Sequence, residues 1–541
     1  MTPERQSSRQ SLLALPNEIQ SRILFHLVPS SVKSVHAVLY TCKHLYQIAL
    51  PFSVHTYRNA TAPISREFRT RSRNLQFLHY ITITKPELAR HVRALVFGNF
   101  STRDSDDELE YEQVGPTDDE KPIYRDLVDK TFTAHESDEW EAWRQDWISD
   151  LEEGYEDAEV ALLLVACKGL QQLCYGEPYH PRTFLRVLRV AIKKNLESQK
   201  PQGSSPTSLP LSCLDDVYHE SEETKYGYLT YLEQTVLLFQ LPSIRSYECI
   251  LPNGGEGEEK SFEDIPPRSS SVEEIILRRG AITAGVLRAT IGACKALRSF
   301  EFLKHPTHMY DLDMMPGDLL GAILPHQETL EYLHVDFMDS WSKVGWSEYP
   351  EKLFMGRELK QMTALKKLVT GMQALTGRLV SKPEYDFGED IVIQVEGAPR
   401  LTECIPENLE HLEIHSCGGS IVPQVQELLD LCSTGKYYSQ LKRVRLLFVA
   451  EHTERSEVKL ECQGPSPPEL DIVYQTTENR DYDLITYSRM DDIWVTNYCT
   501  RIHASGTRDN WLKYRGSDVA RATVNRGVLE EPGRRLIENE E

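Results

Sequence analysis

A chain of 541 residues is too long for one ordinary core, so two or more domains or a repeat array are expected. A composition of 40% hydrophobic and 26% charged residues is typical of a folded protein rather than a disordered one. The net charge of −22 disfavours nucleic acid as a partner, because its phosphates would be repelled.

No apolar run reaches the roughly 18 residues that a membrane-spanning helix needs, so no membrane contact is expected. The first ten residues are polar, and no small-residue cleavage site follows the first apolar run, which argues against a secretory signal. The 11 cysteines form no CxxC pair, which favours reduced thiols. The sequence therefore predicts a cytoplasmic or nuclear protein.

Residues 1–10 are predicted to be disordered, and an apolar helix follows in "LLALPNEIQSRILFHLVP" (12–29). Its apolar side chains recur at helical spacing behind Pro16, which suits a first helical turn. A second helix is predicted over 31–40, and a third between Thr41 and Pro51. Three short helices are near the size at which an independent core rarely suffices, so this unit is expected to dock on something else.

The stretch 12–59 resembles an F-box, and in particular the F-boxes of filamentous-fungal proteins in which leucine-rich repeat-like segments often follow. The Leu15-Pro16 opening, Glu18, the Ile-Leu-x-x-Leu of the first helix and the third helix "YTCKHLYQIALP" match the family spacing. Tyr46 stands where the family often has tryptophan.

We assign the F-box to residues 11–59. The resemblance implies a substrate adaptor of an SCF-type ubiquitin ligase, in which the F-box binds the Skp adaptor, the Skp adaptor connects to cullin, and the repeats hold the substrate. The implied Skp-adaptor contacts are Leu15, Pro16, Ile19, Ile23, Leu24 and Leu27. The alternative for each is internal packing of the three-helix unit.

Residues 60–91 are predicted to be a helical linker, and an acidic block follows at 102–160. The block holds 22 acidic and five basic side chains. We interpret it as a solvated, partly disordered insertion; the alternative is an electrostatic attractant for a basic partner. Within it, one helical face carries Trp140, Trp143, Trp147 and Leu151. This stripe is predicted to pack on the neighbouring core, with a substrate-binding ridge as the minority alternative.

Nine L-x-x-L-like units follow one another along the chain, and two of them, "VACKGLQQL" and "GACKALRSF", resemble each other directly. The units begin at residues 92, 170, 244, 272, 297, 330, 365, 409 and 441. From the third unit on, the steps of 28, 25, 33, 35, 44 and 32 residues bracket the period of leucine-rich repeats. The sequence therefore predicts an irregular repeat domain over 92–455, with loops at 199–225 and 251–271 and a partly disordered extension at 456–541.

In each unit, the fourth and sixth positions lie on one face of a short strand, and the residues that flank them point to the opposite, concave face. A polar surface with aromatic and arginine anchors suits protein recognition. The predicted substrate-binding residues are Glu248, Glu274, Arg278, Glu301, Tyr332, His334, Asp336, His411, Glu413, His415, Arg443 and Arg445. The alternative for any one of them is an ordinary solvated strand face.

"HLEIHSC" places His411, Glu413, His415 and Cys417 alternately, hence on one predicted strand face. Same-face neighbours on a strand lie roughly 6.5–7 Å apart, too far for a whole set to share a zinc ion, so no metal is predicted. The segment 253–261 superficially resembles a phosphate loop, but it lacks the glycine before Lys260 and carries three glutamates. No cofactor and no catalytic motif are identified.

The predicted fold is α + α/β: an N-terminal three-helix F-box followed by an irregular leucine-rich repeat-like strand/helix solenoid. The first functional hypothesis is the non-catalytic ligase adaptor. The second is a repeat scaffold without a ligase role, and the third is an enzyme with a dispersed site.

Overall fold

The computed structural model describes residues 12–27, 32–59, 71–98, 100, 102, 114–131, 138–176, 182–198, 209–220, 232–250, 253–255, 257–304, 314–337, 352–381, 391–394, 397–449, 458–460 and 468–475. The chain divides into two compact units, residues 1–53 with 489–541, and residues 54–488. The predicted disordered N-terminus, 1–10, and the predicted extension after residue 475 lie outside the described residues.

The described part of the first unit contains three helices, preceded by a 3-10 turn at Leu12–Ala14. They are α1 (Asn17–Leu27), α2 (Val32–Leu39) and α3 (Lys43–Ser53). The carbonyl of Pro16 accepts the amides of Ile19 and Gln20, both at 3.0 Å, which starts α1. Four apolar side chains from the three helices are buried together: Leu24, Val35, Leu45 and Ala49.

The third helix does not stop before Pro51, as the sequence suggested, but contains this proline and ends at Ser53. A proline removes one backbone donor and disfavours the residue before it in a helix. Here the cost falls in the last turn, where helical carbonyls need other partners anyway. The hydroxyl of Ser53 donates to one of them, the carbonyl of Leu50, at 2.7 Å.

The second unit is built on a parallel sheet. The strands of this unit are β1 (Thr56–Asn59), β2 (Ala94–Phe97), β3 (Gln172–Gly176), β4 (Asp216–Glu220), β5 (Ser246–Ile250), β6 (Asn253–Gly254), β7 (Glu274–Ile282), β8 (Ser299–Lys304), β9 (Tyr332–Asp336), β10 (Lys367–Gly371), β11 (Arg378–Ser381), β12 (Ile391–Gln394), β13 (His411–Cys417), β14 (Arg443–Val449) and β15 (Glu469–Gln475). Strands β11 and β12 form a separate antiparallel pair. In the described part of the chain, twelve strands pair in the order β1-β2-β3-β4-β5-β7-β8-β9-β10-β13-β14-β15, and β6 pairs with β7.

In the described part of the chain, α-helices or 3-10 segments lie in most of the connections between the parallel strands, which need such crossovers. The α-helices of this unit are α4 (Arg73–His79), α5 (Lys121–Thr131), α6 (Asp138–Glu153), α7 (Glu156–Ala166), α8 (Thr183–Ser198), α9 (Leu232–Phe239), α10 (Ala284–Ala293), α11 (Pro316–Ile323), α12 (Met372–Thr376), α13 (Leu401–Cys404) and α14 (Val422–Ser433). Short π or 3-10 segments lie at Tyr80–Thr84, Pro86–His91, Glu258–Phe262, Leu324–His326, Arg357–Gln361 and Gly419–Ile421.

Every predicted unit forms a strand that begins two residues after its first apolar position. The fourth and sixth positions are buried throughout: in the unit at Leu297, for example, Leu297, Phe300 and Phe302 are all fully buried. Because the strands pair in register, these side chains stack in rows across the sheet. The predicted stacking of strand and helix over one continuous core is confirmed.

The sheet also contains three strands that the repeat pattern did not reveal. They are β1, which lies inside the predicted F-box range, β4, which lies inside the predicted loop 199–225, and β15, which lies beyond the predicted repeat end at 455. The N-terminal segment of the first unit accordingly ends at Ser53, before β1. The predicted loop 251–271 likewise contains β6 and a 3-10 turn, Glu258–Phe262.

The described part of the acidic block is largely helical, which the interpretation as a solvated, partly disordered insertion did not anticipate. Helices α5, α6 and the first turns of α7 occupy residues 121–131, 138–153 and 156–160, whereas residues 114–120 form no helix. The buried carboxylate of Asp157 caps α8 by accepting the amides of Thr183 and Phe184 at 2.8 and 2.9 Å. Burial raises the pKa of Asp157 to about 6, although these hydrogen bonds act to lower it. Residues 103–113 and 132–137 lie outside the described part.

The tryptophan stripe of α6 packs inward, as predicted. Trp147 is fully buried, and its indole Nε1 donates to the carbonyl of Ala158 in α7 at 3.1 Å. Trp143 stacks on Trp147, with ring centroids 5.7 Å apart. The stripe therefore belongs to the core, and the alternative of a substrate-binding ridge is not supported.

Candidate functional site

All twelve residues predicted for substrate binding lie on the sheet face opposite the buried leucine rows, which we call the polar face. The register aligns one row through Glu248, Ile276, Glu301 and His334, and continues it through Val369, Glu413 and Arg445. Neighbouring strands lie about 4.8 Å apart, so side chains from successive strands can contact one another.

Arg278 joins two carboxylates at the centre of the polar face. Its Nε donates to Glu301 Oε1 at 2.9 Å, and its Nη1 lies 3.5 Å from Glu248 Oε1. Glu248 and Glu301 are only 2% and 5% exposed, so both need a charged partner. His334 extends this series of charged contacts, because its Nδ1 lies 3.5 Å from Glu301 Oε2.

A second ion group is centred on His415. Its Nδ1 lies 3.3 Å from Asp336 Oδ2, and its Nε2 lies 2.9 Å from Glu413 Oε1. Burial alone would lower the pKa of His415, but the hydrogen bonds and charges of the two carboxylates raise it to about 9. His415 is therefore a cation at neutral pH. Its ring centroid lies 6.0 Å from that of His334, which links the two groups.

Arginines extend this second group toward the last described strand. Arg445 Nη1 lies 3.4 Å from Glu413 Oε1, and its Nε lies 3.3 Å from Asp471 Oδ2. Arg443 Nη2 donates to the same Asp471 at 3.0 Å. Burial alone would raise the pKa of Glu413, but His415 and then Arg445 lower it to about 2.

Two further predicted residues contact polar or aromatic neighbours on the same face. Glu274 accepts hydroxyl hydrogen bonds from Ser246 at 3.3 Å and from Ser299 at 3.1 Å. The ammonium of Lys367 lies 5.2 Å from the centre of the Tyr332 ring, within cation–π range.

His411 occupies a more cationic environment than the other polar-face histidines. The pKa of His411 is lowered, first by burial and then by the charge of Lys367, with Lys442 and Arg443 acting in the same direction and Glu410 against it. Sequence reasoning missed Lys367 and Asp471 as members of this face. Lys367 lies two residues after Leu365, the same offset that led to the selection of Glu274 and Tyr332, so the sequence pattern could have identified it. Asp471 could not be identified in this way, because β15 was not recognised as a strand.

The polar face is not uniformly accessible. In β2, β3, β4 and β7, the polar-face residues Val96, Cys174, Tyr218 and Ile276 are buried, so the middle of each of these strands is closed to a partner on both faces. The predicted residues that are buried are Glu248, Glu301, Tyr332 and Asp336, and the other eight are half-buried. The part open to a partner is therefore concentrated on β10, β13, β14 and β15.

Cys417 does not share a face with the histidines of β13, as the sequence alternation predicted. Ser416 adopts a positive φ of 52°, and the pairing of β13 with β14 shifts between Ile414 and Cys417. This bulge turns Cys417 into the core, where it is fully buried. Among the described residues, no group of three or more His, Cys, Asp or Glu side chains is arranged to hold a metal ion.

A family model described as a leucine-rich repeat domain matches residues 67–460. The chain belongs to the leucine-rich repeat family. No curated protein matches it. Repeat domains of this kind present extended surfaces for protein binding, which agrees with a polar face assembled from many strands. The leucine-rich repeat sheet extends beyond the matched range by β1 at one end and β15 at the other.

The N-terminal helices lie outside the family match and show a different surface. Of the ten large apolar side chains that are exposed among the described residues, six belong to this unit: Leu12, Leu13, Ile19, Phe25, Tyr40 and Tyr46. Of the six predicted Skp-adaptor contacts, Pro16 and Ile19 are exposed, Leu15, Ile23 and Leu27 are half-buried, and Leu24 is buried at 1%. Leu24 therefore serves the internal packing of the helices.

No helix within the described ranges is long and apolar enough to cross a membrane.

Proposed function

We propose that this leucine-rich repeat protein is a substrate-recognition adaptor of an SCF-type ubiquitin ligase. Its N-terminal helices would bind the Skp adaptor, and through it cullin, while the polar face of the repeats would bind a protein substrate. The observation that carries the proposal is the concentration of exposed apolar side chains on an F-box-like helical unit that precedes a repeat domain.

The exposed apolar surface supports a protein partner for this unit. Ile19 is 44% exposed, Tyr46 39% and Tyr40 89%, whereas four apolar side chains of the three helices are buried among the described residues. Exposed apolar surface often marks an interaction site in soluble proteins. The F-box resemblance of residues 12–59 supplies the identity of the partner.

The mechanism of an adaptor requires no catalytic residue in this chain. Tethering a substrate beside a ubiquitin-charged enzyme raises the effective concentration of the substrate lysines, and that increase accelerates transfer. Such a role would place the protein in the cytoplasm or nucleus, with reduced cysteines.

Binding of the Skp adaptor tests the proposal. Ile19→Asp replaces an exposed apolar side chain with a charge and leaves the buried Leu24 unchanged. We expect it to abolish recovery of the Skp adaptor and cullin with the purified full chain. The matched control is Ile123→Asp, at an isoleucine of α5 with a similar exposure of 39%. Failure of the unmodified chain to recover either partner contradicts the proposal.

The second candidate is a repeat scaffold that binds a partner without a ligase. It is favoured by the family match, which covers the repeats and leaves residues 12–53 unmatched. Deleting residues 1–53 distinguishes the two functions, because an adaptor without its helices should lengthen the half-life of its bound partner. A scaffold predicts an unchanged half-life.

A further inference from the structure

The residues that immediately precede the strands form a row along the amino end of the parallel sheet, which we call the edge row. From β4 to β14 their charges alternate in sign: Asp215, Arg245, Glu273, Arg298, Glu331, Lys366, Glu410 and Lys442. Neighbours in the row form ion pairs, since Lys366 Nζ lies 2.7 Å from Glu331 Oε2 and Arg245 Nε lies 3.6 Å from Glu273 Oε1. In this part of the row, each charge therefore stands beside an opposite charge.

The alternation stops at the β1–β3 end of the edge row. The three positions there are His55, Arg93 and Gln171, so Arg93 has no acid on either side. Its Nη1 donates to the carbonyl of Gly169 at 2.6 Å, but its guanidinium pairs with no acid among the described residues. Asp215, the nearest acid of the row, stands two strands away, about 10 Å at the usual strand spacing.

Gly169 brings two further cations close to Arg93. A Cβ atom at this glycine would collide with Arg93 Nη1 and would lie 2.8 Å from the carbonyl oxygen of Arg90, so only a glycine permits this close approach. Lys168 is the preceding residue, and both Lys168 and Arg90 are exposed. Arg90 Nε donates to His91 Nε2 at 3.2 Å, but neither cation pairs with an acid in the described part of the chain. We call Arg90, Arg93 and Lys168 the basic patch.

The surroundings of the basic patch do not cancel its charge. Glu87, in the 3-10 segment Pro86–His91, is the acid closest in sequence to Arg90, and it forms no ion pair with a described residue. The pKa of His91 is lowered, first by burial and then by Arg90 and Arg93, as expected beside a net positive charge. The chain that supplies the patch is described continuously from 71 to 98 and from 138 to 176, and it leaves two of the three cations exposed.

We propose that the basic patch binds an acidic segment of a partner protein. The carboxylates of that segment would fill the role that Glu331 fills beside Lys366 elsewhere in the edge row. Arginine suits this role, because its planar guanidinium can bind a carboxylate through two parallel hydrogen bonds. Complementary charge also speeds association and suppresses wrong partners. Nucleic acid fits less well, since the net charge of −22 would repel its closely spaced phosphates over the whole surface.

This proposal does not depend on the adaptor function, because the basic patch belongs neither to the polar face nor to the N-terminal helices. The probe is a labelled synthetic peptide with a run of glutamates between glycine and serine residues, titrated with the full chain in fluorescence anisotropy. Its control has glutamines in place of the glutamates. We expect the glutamate peptide to bind at least about tenfold more tightly, because only its charges complement the patch. Its affinity should fall as salt is added, since salt screens exposed charges.

Lys168→Glu and Arg90→Glu should each weaken binding of the glutamate peptide by about tenfold, because a like charge replaces a complementary one. The matched controls Lys436→Glu and Arg288→Glu reverse exposed cations outside the patch and should leave the affinity unchanged. All four positions are exposed, so unchanged thermal unfolding confirms that the variants remain folded.

Gly169→Ala tests the arrangement of the patch without changing its charge. Its methyl group should displace the Arg93 guanidinium and weaken binding, whereas Gly292→Ala, at a glycine of α10 with open space at its Cβ position, should not. Equal binding of the two peptides, or unchanged affinity after either charge reversal in the patch, overturns the proposal. Loss of binding in Lys367→Glu instead places the peptide on the polar face and overturns it equally.

Discussion

The N-terminal helices and the leucine-rich repeat domain handle their apolar side chains in opposite ways. In the repeats, each strand adds its leucine positions to rows that neighbouring strands cover, so side chains such as Phe300 are fully buried. In the described part of the N-terminal unit, six large apolar side chains are exposed, on the helices and on the turns beside them. Stacking completes the repeat core, whereas the helical unit has a surface suited to a partner.

The largest expected effect comes from truncating the repeat core. Phe300→Ala should lower the free energy of unfolding by about 3–5 kcal/mol, because it leaves a cavity among fully buried side chains. The comparison is Ile19→Ala in the N-terminal unit, which should change stability by no more than about 0.5 kcal/mol. Urea unfolding measures both. A cost of several kcal/mol at Ile19 would show that this side chain belongs to a core.

The next largest effect on stability concerns the polar face, where buried side chains such as Glu248 and Glu301 are charged rather than apolar. Arg278→Met leaves Glu248 and Glu301 without the guanidinium they share, which should destabilise the protein by about 3 kcal/mol. Arg357→Met removes a surface pair with Glu403, formed at 3.0 Å, and should cost at most about 1 kcal/mol. Equal costs in the same unfolding measurement would mean that Arg278 is not essential to its neighbours.

A smaller effect should appear as a pH dependence. The pKa of His415 is raised from 6.5 to about 9 in the folded protein. The stability that the protonated ring contributes is therefore complete below pH 6.5 and is lost as the pH rises through 9. His415→Gln should therefore remove up to about 3 kcal/mol of stability near pH 6 and progressively less toward pH 9.

The matched control for this pH dependence is His411→Gln. The pKa of His411 is lowered, so its protonation opposes folding as the pH falls below 6.5, and the substitution should act in the opposite direction there. Stability measured across pH 5–9 tests both signs. A profile of His415→Gln parallel to that of the unmodified protein would contradict the assigned ion group.

The nine predicted repeat starts could be located from sequence because an aliphatic or aromatic residue fills nearly every stacked position, the exceptions being Cys249 and Thr370 at the sixth position of their units. The missed strands β1 and β4 lack this signal at the sixth position, where they carry Asn59 and His219. The structure accommodates both: Asn59 donates to the side chain of Asn74 at 3.0 Å, and the ring of His219 stacks on Tyr175 at 4.6 Å. These contacts come from residues outside the repeat unit itself, so the sequence of one unit does not predict that a polar side chain can occupy its sixth position.

The shared face of the twelve selected residues was predicted from sequence, but the accessibility of that face and its further members Lys367 and Asp471 were not. Period-two alternation and parallel register place all twelve selected residues on one face. That alternation failed at Cys417, because a bulge at Ser416 depends on local backbone conformation. Burial of Glu248 and Glu301 depends on contacts across several strands, so the open part of the face became evident only from the structure.

Hydrogen exchange of the full chain, with and without the Skp adaptor, distinguishes the two regions in one experiment. The proposed function predicts that the adaptor slows amide exchange in α1, α2 and α3 and leaves the repeat strands β1 to β15 unchanged. No protection of the N-terminal helices, or protection confined to the repeat strands, would contradict the assignment of these helices as the Skp-binding unit.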